Sequence, residues 1–177
     1  MTLHALVAYG LVLVGVMSRL APHPANVTPV IAVALFSGAI LPRRAAVFVP
    51  LVAVILSDWL IGYDPQLPWN WLAVGCVTGI GWALRQRRSV LRVGGAALSG
   101  STLFFLVSNF GVWLAGQLYP LTREGLLSCY LAGLPFYRNM LLGDLLYTGA
   151  FFGGYALLQR YALSPATAVS LPPPRDG

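Results

Sequence analysis

The chain is poor in the residues on which most enzymes and nucleotide-binding proteins depend. It has no lysine, two histidines and five acidic residues, and charged side chains make up 9% of its 177 residues. A soluble domain carries about a quarter of charged residues, so this composition excludes an ordinary soluble protein. The sequence contains no Walker motif, no other glycine-rich phosphate loop, no GxSxG and no HExxH. We therefore expect neither conventional catalysis nor a nucleotide site through which the chain would itself use ATP.

Cysteine is also scarce. Cys76 and Cys129 lie in different segments, so they predict neither a disulfide framework nor a CxxC metal site. The eleven basic residues are all arginines, and they lie between apolar runs rather than in a solvated patch. The net charge of +6 is therefore not a sign of nucleic-acid binding.

Long apolar runs are what the chain does contain. Hydrophobic residues make up 58% of it and the mean hydropathy is +0.75, which indicates a polytopic membrane protein. A bilayer core of about 30 Å needs roughly 20 apolar residues per helix. Six segments reach or approach this length: 3–20, 27–41, 45–62, 69–85, 93–116 and 139–161. Residues 121–136 are too short and too polar to span, and we expect them to form a short extracytoplasmic helix that caps one mouth of the bundle.

These spans predict an all-α integral membrane protein with six transmembrane helices in one domain over residues 1–163. The first twenty residues lack a basic n-region, so we expect a first span rather than a cleaved signal. The proline-rich residues 164–177 are predicted to form a disordered cytoplasmic tail.

The arginines predict the orientation in the membrane. With a cytoplasmic N-terminus, the inner side holds eight arginines, whereas the outer side holds Arg19, Arg123 and Arg138. This distribution satisfies the positive-inside rule. Both termini are therefore expected in the cytoplasm.

Polar side chains gather at the predicted outer ends of the spans. They are His23, Asn26, Asp58, Asp64, Asn70, Asn109, Arg123, Arg138, Asn139 and Asp144. Isolated polar groups are costly in a membrane, so such a cluster is interpreted as a pocket that opens outward.

Several of these residues allow a purely structural interpretation. Asp58 and Asp144 are favoured as members of structural ion pairs, with Arg138 as a partner for either, although Arg138 also suits a ligand. Asn109 is slightly favoured as a residue that forms a hydrogen bond between helices. Asp64 is equally compatible with a role as a hydrogen-bond acceptor within its loop and with contact to a ligand. His23 is compatible with capping the next helix or with binding a ligand.

Cys76 is expected about 10 Å below Asn70 along its helix. Most buried free cysteines act as small hydrophobic residues. The alternative is a thiolate ligand for a soft or borderline transition metal, reached from the outer cavity. Both interpretations remain open from the residues alone.

A family resemblance extends over residues 15–155. Its motifs are 19–29 (RLAPHPANVTP), 56–60 (LSDWL), 108–113 (SNFGVW), 119–122 (YPLT), Gly125, Cys129, Tyr130, Pro135, Phe136, Gly143 and Asp144. These motifs resemble a family of small bacterial six-span membrane proteins related to the substrate-binding S-components of energy-coupling-factor (ECF) vitamin transporters. The resemblance implies an ECF S-component-like bundle in a bacterial inner membrane.

One branch of this family comprises the BtuM-type solitary cobalamin transporters, in which a membrane-embedded cysteine coordinates the corrin cobalt. The resemblance implies this metal-ligand role for Cys76, and a corrinoid-binding wall that includes His23, Asp64, Arg138, Asn139 and Asn109. A thiolate facing a cyanide-bearing cobalt can also promote removal of the cyano ligand, which would be a catalytic role for Cys76. The first helix lacks the AxxxA pattern with which S-components dock on the shared ATP-driven module, in agreement with a solitary transporter.

The leading hypothesis is therefore an uptake protein that binds cobalamin (vitamin B12) in an outward-open pocket. The alternatives are an S-component-like carrier for another vitamin or small metabolite, and a non-transporting membrane scaffold. A membrane enzyme is disfavoured because the usual catalytic motifs are missing.

Overall fold

The computed structural model describes residues 3–22, 24 and 26–162, and the regular secondary structure of this part of the chain consists of α-helices alone. Its helices are α1 (Leu3–Leu20), α2 (Val30–Ile40), α3 (Arg43–Ile61), α4 (Leu67–Ala83), α5 (Val90–Leu114) and α6 (Arg123–Ala162). The first five coincide, to within a few residues, with the first five predicted segments. His23 and the predicted tail lie outside the described residues.

Three of these helices are long and apolar enough to cross a membrane. They are Arg43–Ile61, Val90–Leu114 and Arg123–Arg160. Leu13, Phe48 and Leu146 are among the large apolar side chains that are exposed on the outer faces of the bundle. Apolar faces turned outward, together with the long apolar helices, are compatible with a lipid-embedded protein.

The C-terminal helix differs from the sequence prediction. The expected capping helix 121–136 and the expected sixth span 139–161 form one helix of 40 residues, with Pro135 inside it. At 1.5 Å per residue this helix is about 60 Å long. The prediction of a separate capping helix was wrong because it rested on the length and polarity of residues 121–136 taken alone. A proline removes one backbone hydrogen bond, whereas ending the helix in apolar surroundings leaves several backbone groups unpaired.

The short helix α2 forms the centre of the bundle. Every residue from Ile31 to Ala39 is buried, and α2 packs against α3, α4, α5 and α6. Gly38 lies so close to α4 that a Cβ there would clash with the backbone of Thr78 and Gly81. The missing Cβ therefore lets the two helices approach at backbone distance.

Arginines from the loop after α4 bind the C-terminal end of α2. The Arg85 side chain donates from Nε to the Gly38 carbonyl at 2.8 Å and from Nη2 to the Leu41 carbonyl at 2.5 Å. Arg88 donates to the Ala39 carbonyl at 3.3 Å. These cations satisfy carbonyls that the end of a helix leaves without a partner. One end of the bundle is thus rich in arginine, and the described polar side chains of the predicted cluster lie towards the other.

Candidate functional site

Two adjoining cavities lie at the polar end of the bundle. The first, here called the mouth cavity, has a volume of about 390 Å³, and the second, the ion-pair cavity, of about 410 Å³. Polar side chains of the mouth cavity are Asn26, Gln66, Asn70, Ser108, Asn109, Tyr119, Cys129 and Tyr137. Those of the ion-pair cavity are Arg19, Asn26, Thr28, Asp58, Asn70 and Asp144. Both volumes are in the range of small-molecule sites, about 300–1,000 Å³.

The polar wall is formed by residues from helices that run in opposite directions. Arg19 and Asp58 come from the last turns of α1 and α3, whereas Asn70 comes from the first turn of α4. Asn26, in the connection between α1 and α2, has a φ of 61°, a left-handed conformation that asparagine tolerates better than most residues. Alternating helix directions therefore bring residues far apart in sequence into one site.

Asp58 is buried and fully paired. Its Oδ1 lies 2.6 Å from Nη2 of Arg19, and its Oδ2 accepts a hydrogen bond from the indole N–H of Trp71 at 2.7 Å. Arg19 also donates to Ser57 Oγ at 2.6 Å. The expectation of a structural ion pair at Asp58 is confirmed, but its partner is Arg19 on α1 rather than Arg138. The network joins α1, α3 and α4.

Asp144 is buried but has no cationic partner within the described part of the chain. Its side chain is 1% exposed, and Oδ2 lies 2.6 Å from Oγ of Ser101 on α5. Its other oxygen, Oδ1, is buried without a hydrogen-bond partner among the described residues. The predicted ion pair with Arg138 is therefore absent between these two described side chains. Asp144 instead presents a free acceptor at the wall of the ion-pair cavity.

Two asparagines shape the mouth cavity. Asn70 lines both cavities, and its Oδ1 is buried with no partner in the ranges that the structure describes. The Asn109 side chain donates from Nδ2 to the Phe105 carbonyl at 2.9 Å, and the backbone carbonyl of Asn109 accepts from the Cys129 thiol at 3.4 Å. Asn109 thus links α5 to α6 and also faces the cavity, so its two predicted roles are compatible.

Asp64 stabilises the start of α4. Its Oδ1 accepts from the Gln66 backbone N–H at 3.0 Å, and its Oδ2 from the Gln66 side chain at 3.1 Å. The side chain is exposed and lines neither cavity. The structure therefore places it as a loop acceptor, and Gln66 rather than Asp64 reaches the mouth cavity.

Arg138 and Asn139 lie outside the cavity wall to which they were assigned. Gly133, Tyr137 and Met140 line the mouth cavity, and Asp144 continues the same stripe of α6. This spacing of three, four and seven residues follows one helical face, and Arg138 and Asn139 are rotated away from it. Arg138 is exposed.

Cys76 is not reached from the cavity. Its side chain is exposed and lines neither cavity, because the buried face of α4 is formed by Ala73, Val74, Val77 and Thr78. The buried thiol Cys129 lines the mouth cavity instead. Among the described residues, no group of three His, Cys, Asp or Glu side chains could hold a metal ion.

Sequence reasoning missed the partners of the buried acids. Arg19 enters the sequence prediction only as a charge on the outer side and as a motif residue, and Ser101 does not enter it. The signal was present for Arg19, since it lies in the last turn of α1 at the same level as Asp58 at the end of α3. No sequence pattern singled out Ser101.

Comparison with known proteins gives a family but no activity. No curated protein and no solved structure matches the chain. A family model matches residues 1–168, nearly the whole length. The chain therefore belongs to DUF6580, a family of unknown function.

Proposed function

We propose that the protein is a membrane-embedded binding protein for the uptake of a small polar solute. The observation that carries the proposal is Asn70, which lines both cavities and whose Oδ1 is buried without a partner among the described residues. A buried polar group without a partner costs about 1–3 kcal/mol, so this acceptor favours a ligand that donates to it. In a structural scaffold without a ligand, the unpaired acceptor of Asn70 would only lower the stability of the fold.

The wall favours a solute with several hydrogen-bond donors. The mouth cavity offers neutral amides and hydroxyls, together with aromatic faces from Phe104, Phe105 and Phe136. In the ion-pair cavity, Arg19 and Asp58 neutralise each other, and Asp144 adds a second free acceptor. A flat, polar molecule with N–H groups, such as a small water-soluble vitamin, fits this combination of stacking surfaces and acceptors.

The proposed direction of access follows from the arginines. Arg43, Arg44, Arg85 and Arg88 belong to the end opposite the cavities, and the positive-inside rule assigns that end to the cytoplasm. The cavities then open to the outer side of a bacterial inner membrane, and both termini lie in the cytoplasm. Uptake would begin with capture of the solute at the mouth cavity.

Ligand-induced stabilisation tests this function. Thermal unfolding of the full chain in detergent is measured with thiamine, biotin, riboflavin, nicotinamide and cyanocobalamin, each in turn. At roughly 100 times its Kd a ligand adds about 2.7 kcal/mol to the free energy of unfolding, or roughly 5–10 °C in Tm for a chain of this size. We expect such a shift with one of the smaller compounds.

Two asparagine variants form a matched pair for this experiment. Asn70 and Asn139 are both half-buried, but only Asn70 lines the cavities. Asn70→Leu should abolish the shift, whereas Asn139→Leu should preserve it. Equal shifts in the two variants, or none in the parent with any compound, would rule out the proposed site.

The cobalamin hypothesis is a more specific form of this proposal. It is favoured by the adjoining positions of the two cavities, since a corrinoid needs more room than either cavity provides. Cobalt ligation also requires that Cys76 turn from the exposed face of α4 towards the two cavities. Removal of the cyano ligand by Cys76 requires the same movement. The test is the absorbance of corrinoid retained by the purified protein. Bands that vanish in Cys76→Ser would establish this form, and the same bands in both proteins would exclude cobalt ligation by Cys76.

A further inference from the structure

The hydroxyl of Ser101 has two acceptors for its single hydrogen. Its Oγ lies 3.0 Å from the Ala97 carbonyl and 2.6 Å from Oδ2 of Asp144. When Ser101 donates to Asp144, the carboxylate is stabilised in its charged form. When Ser101 donates to Ala97, its oxygen can accept a proton carried by Oδ2, and the neutral acid is stabilised. The same geometry therefore satisfies Oδ2 in either protonation state.

The charged groups around Asp144 leave it without a fixed counter-ion. Across the ion-pair cavity, Arg19 and Asp58 are paired with each other at 2.6 Å. Helix α2 carries no titratable side chain, and the one such residue of α5 is Arg92, in its first turn. Within two turns of Asp144 on α6, the titratable side chains are Tyr137, Arg138 and Tyr147. A carboxylate in this position gains little from a neighbouring charge, and a proton is the simplest cation to neutralise it.

A third cavity lies beyond Asp144 on the side of the arginine-rich end. This Arg88 cavity has a volume of about 390 Å³ and is lined by Arg88, Gly94, Ala97, Leu145, Thr148 and Phe152. Thr148 follows Asp144 by one turn of α6, about 6 Å along the axis. It is 1% exposed, and its Oγ1 is buried without a partner in the described part of the chain. Asp144 thus borders the ion-pair cavity, whereas Ala97 and Thr148 border the Arg88 cavity.

We propose that Asp144 is a proton-binding residue that couples solute uptake to proton entry, with Ser101 and Thr148 leading the proton towards the Arg88 cavity. A proton from water in the ion-pair cavity adds to the carboxylate, and one proton leaves on the side of the Arg88 cavity. Only O–H bonds form and break, and the charge of the site changes between −1 and 0. This inference rests on the proposed function for its solute, but not for its proton site.

Infrared spectroscopy tests the proton site without any solute. Spectra of the full chain in lipid nanodiscs are recorded while the buffer is made more acidic. We expect a carboxylic-acid C=O band that is lost in Asp144→Asn, retained in Asp64→Asn and shifted in Ser101→Ala, which removes the hydrogen bond. The amide introduced by the first variant can still hydrogen-bond to Ser101, so the helix contact is preserved. A band that survives unchanged in Asp144→Asn would overturn the proposal.

Coupling is tested in liposomes that contain the protein and the trapped pH-sensitive dye pyranine. The five compounds named above are added outside as a mixture. We expect internal acidification in the parent, its loss in Asp144→Asn and a several-fold slower rate in Thr148→Val. Solute-dependent stabilisation without acidification would overturn the coupling and leave the proposed function intact. The infrared measurement needs no solute. If the proposed function is wrong, the C=O band of Asp144 is therefore still observed, whereas no compound stabilises the protein or causes acidification.

Discussion

At the residue scale, the two buried aspartates illustrate two ways of keeping a carboxyl group out of water. Asp58 has a partner for each oxygen, Arg19 for one and Trp71 for the other. Asp144 has a hydroxyl on one oxygen and no partner among the described residues on the second. The first arrangement suits a fixed structural link, and the second suits a group that exchanges a ligand or a proton.

Loss of the Asp58 carboxylate should destabilise the bundle. Asp58→Asn leaves Arg19 without its counter-ion, and removing one partner of a buried pair costs about 3–5 kcal/mol. The free energy of unfolding in detergent measures this loss. Replacing both partners, as in Arg19→Met with Asp58→Leu, should restore much of it, since no charge is then left unpaired.

Arg138→Met serves as the control and should change the free energy of unfolding by less than about 0.5 kcal/mol. A loss in Arg138→Met as large as that in Asp58→Asn would contradict the assignment of the Arg19–Asp58 pair.

The two cysteines should differ in reactivity. Cys76 is exposed and Cys129 is buried, so an apolar maleimide that enters the detergent micelle should modify Cys76 first. Mass spectrometry of the folded protein should show one adduct at Cys76, and the denatured protein should show two. Protection of Cys76 by a solute that stabilises the fold would mean that this thiol faces the site after all.

At the element scale, apolar length was enough to locate the helices but not to orient their faces. In a membrane helix both the packed face and the lipid face are apolar, so hydrophobic periodicity gives little information about which residues point inward. Arg138 was assigned to the cavity by its polarity, whereas Tyr137 and Met140, one residue before it and two after it, line the cavity. The cavity-facing position expected for Cys76 rested on the family resemblance, and Cys76 lies instead on the exposed face of α4. Helix α6 shows the second limit, since residues 121–136 are too short and too polar to span alone but continue into the apolar segment as one helix.

The crossing of α2 and α4 depends on glycine. A Cβ at Gly81 would clash with the backbone of Leu35, whereas Gly75 on the same helix has open space around it. Gly81→Ala should therefore lower the free energy of unfolding by about 1–3 kcal/mol. Gly75→Ala should leave it unchanged or raise it by about 0.5–1 kcal/mol through its better helix propensity. Thermal unfolding of the two variants compares them directly, and a similar effect in both would argue against the close crossing.

At the scale of the whole molecule, the two ends of the bundle are chemically distinct. Arg85 and Arg88 bind the carbonyl end of α2 at one end, and the described side chains that line the cavities at the other include neutral amides, the Arg19–Asp58 ion pair and Asp144. This asymmetry supports the proposed orientation, with the cavities on the outer side.

Cysteine labelling measures that orientation. Asp64→Cys and Arg87→Cys place thiols in exposed positions at opposite ends, and a Cys76→Ser background removes the other exposed thiol. A membrane-impermeant maleimide should label position 64 in intact spheroplasts, and position 87 only after the membrane is permeabilised. The reverse pattern would place the cavities on the cytoplasmic side.

The length of α6 has a mechanical consequence. One uninterrupted helix of about 60 Å borders the mouth cavity at Gly133, the ion-pair cavity at Asp144 and the Arg88 cavity at Thr148. A rigid rod that pivots near its middle moves its two ends in opposite directions. If the chain binds and transports a solute as proposed, a small tilt of α6 against α5 would narrow the opening of the mouth cavity and widen that of the Arg88 cavity in a single movement.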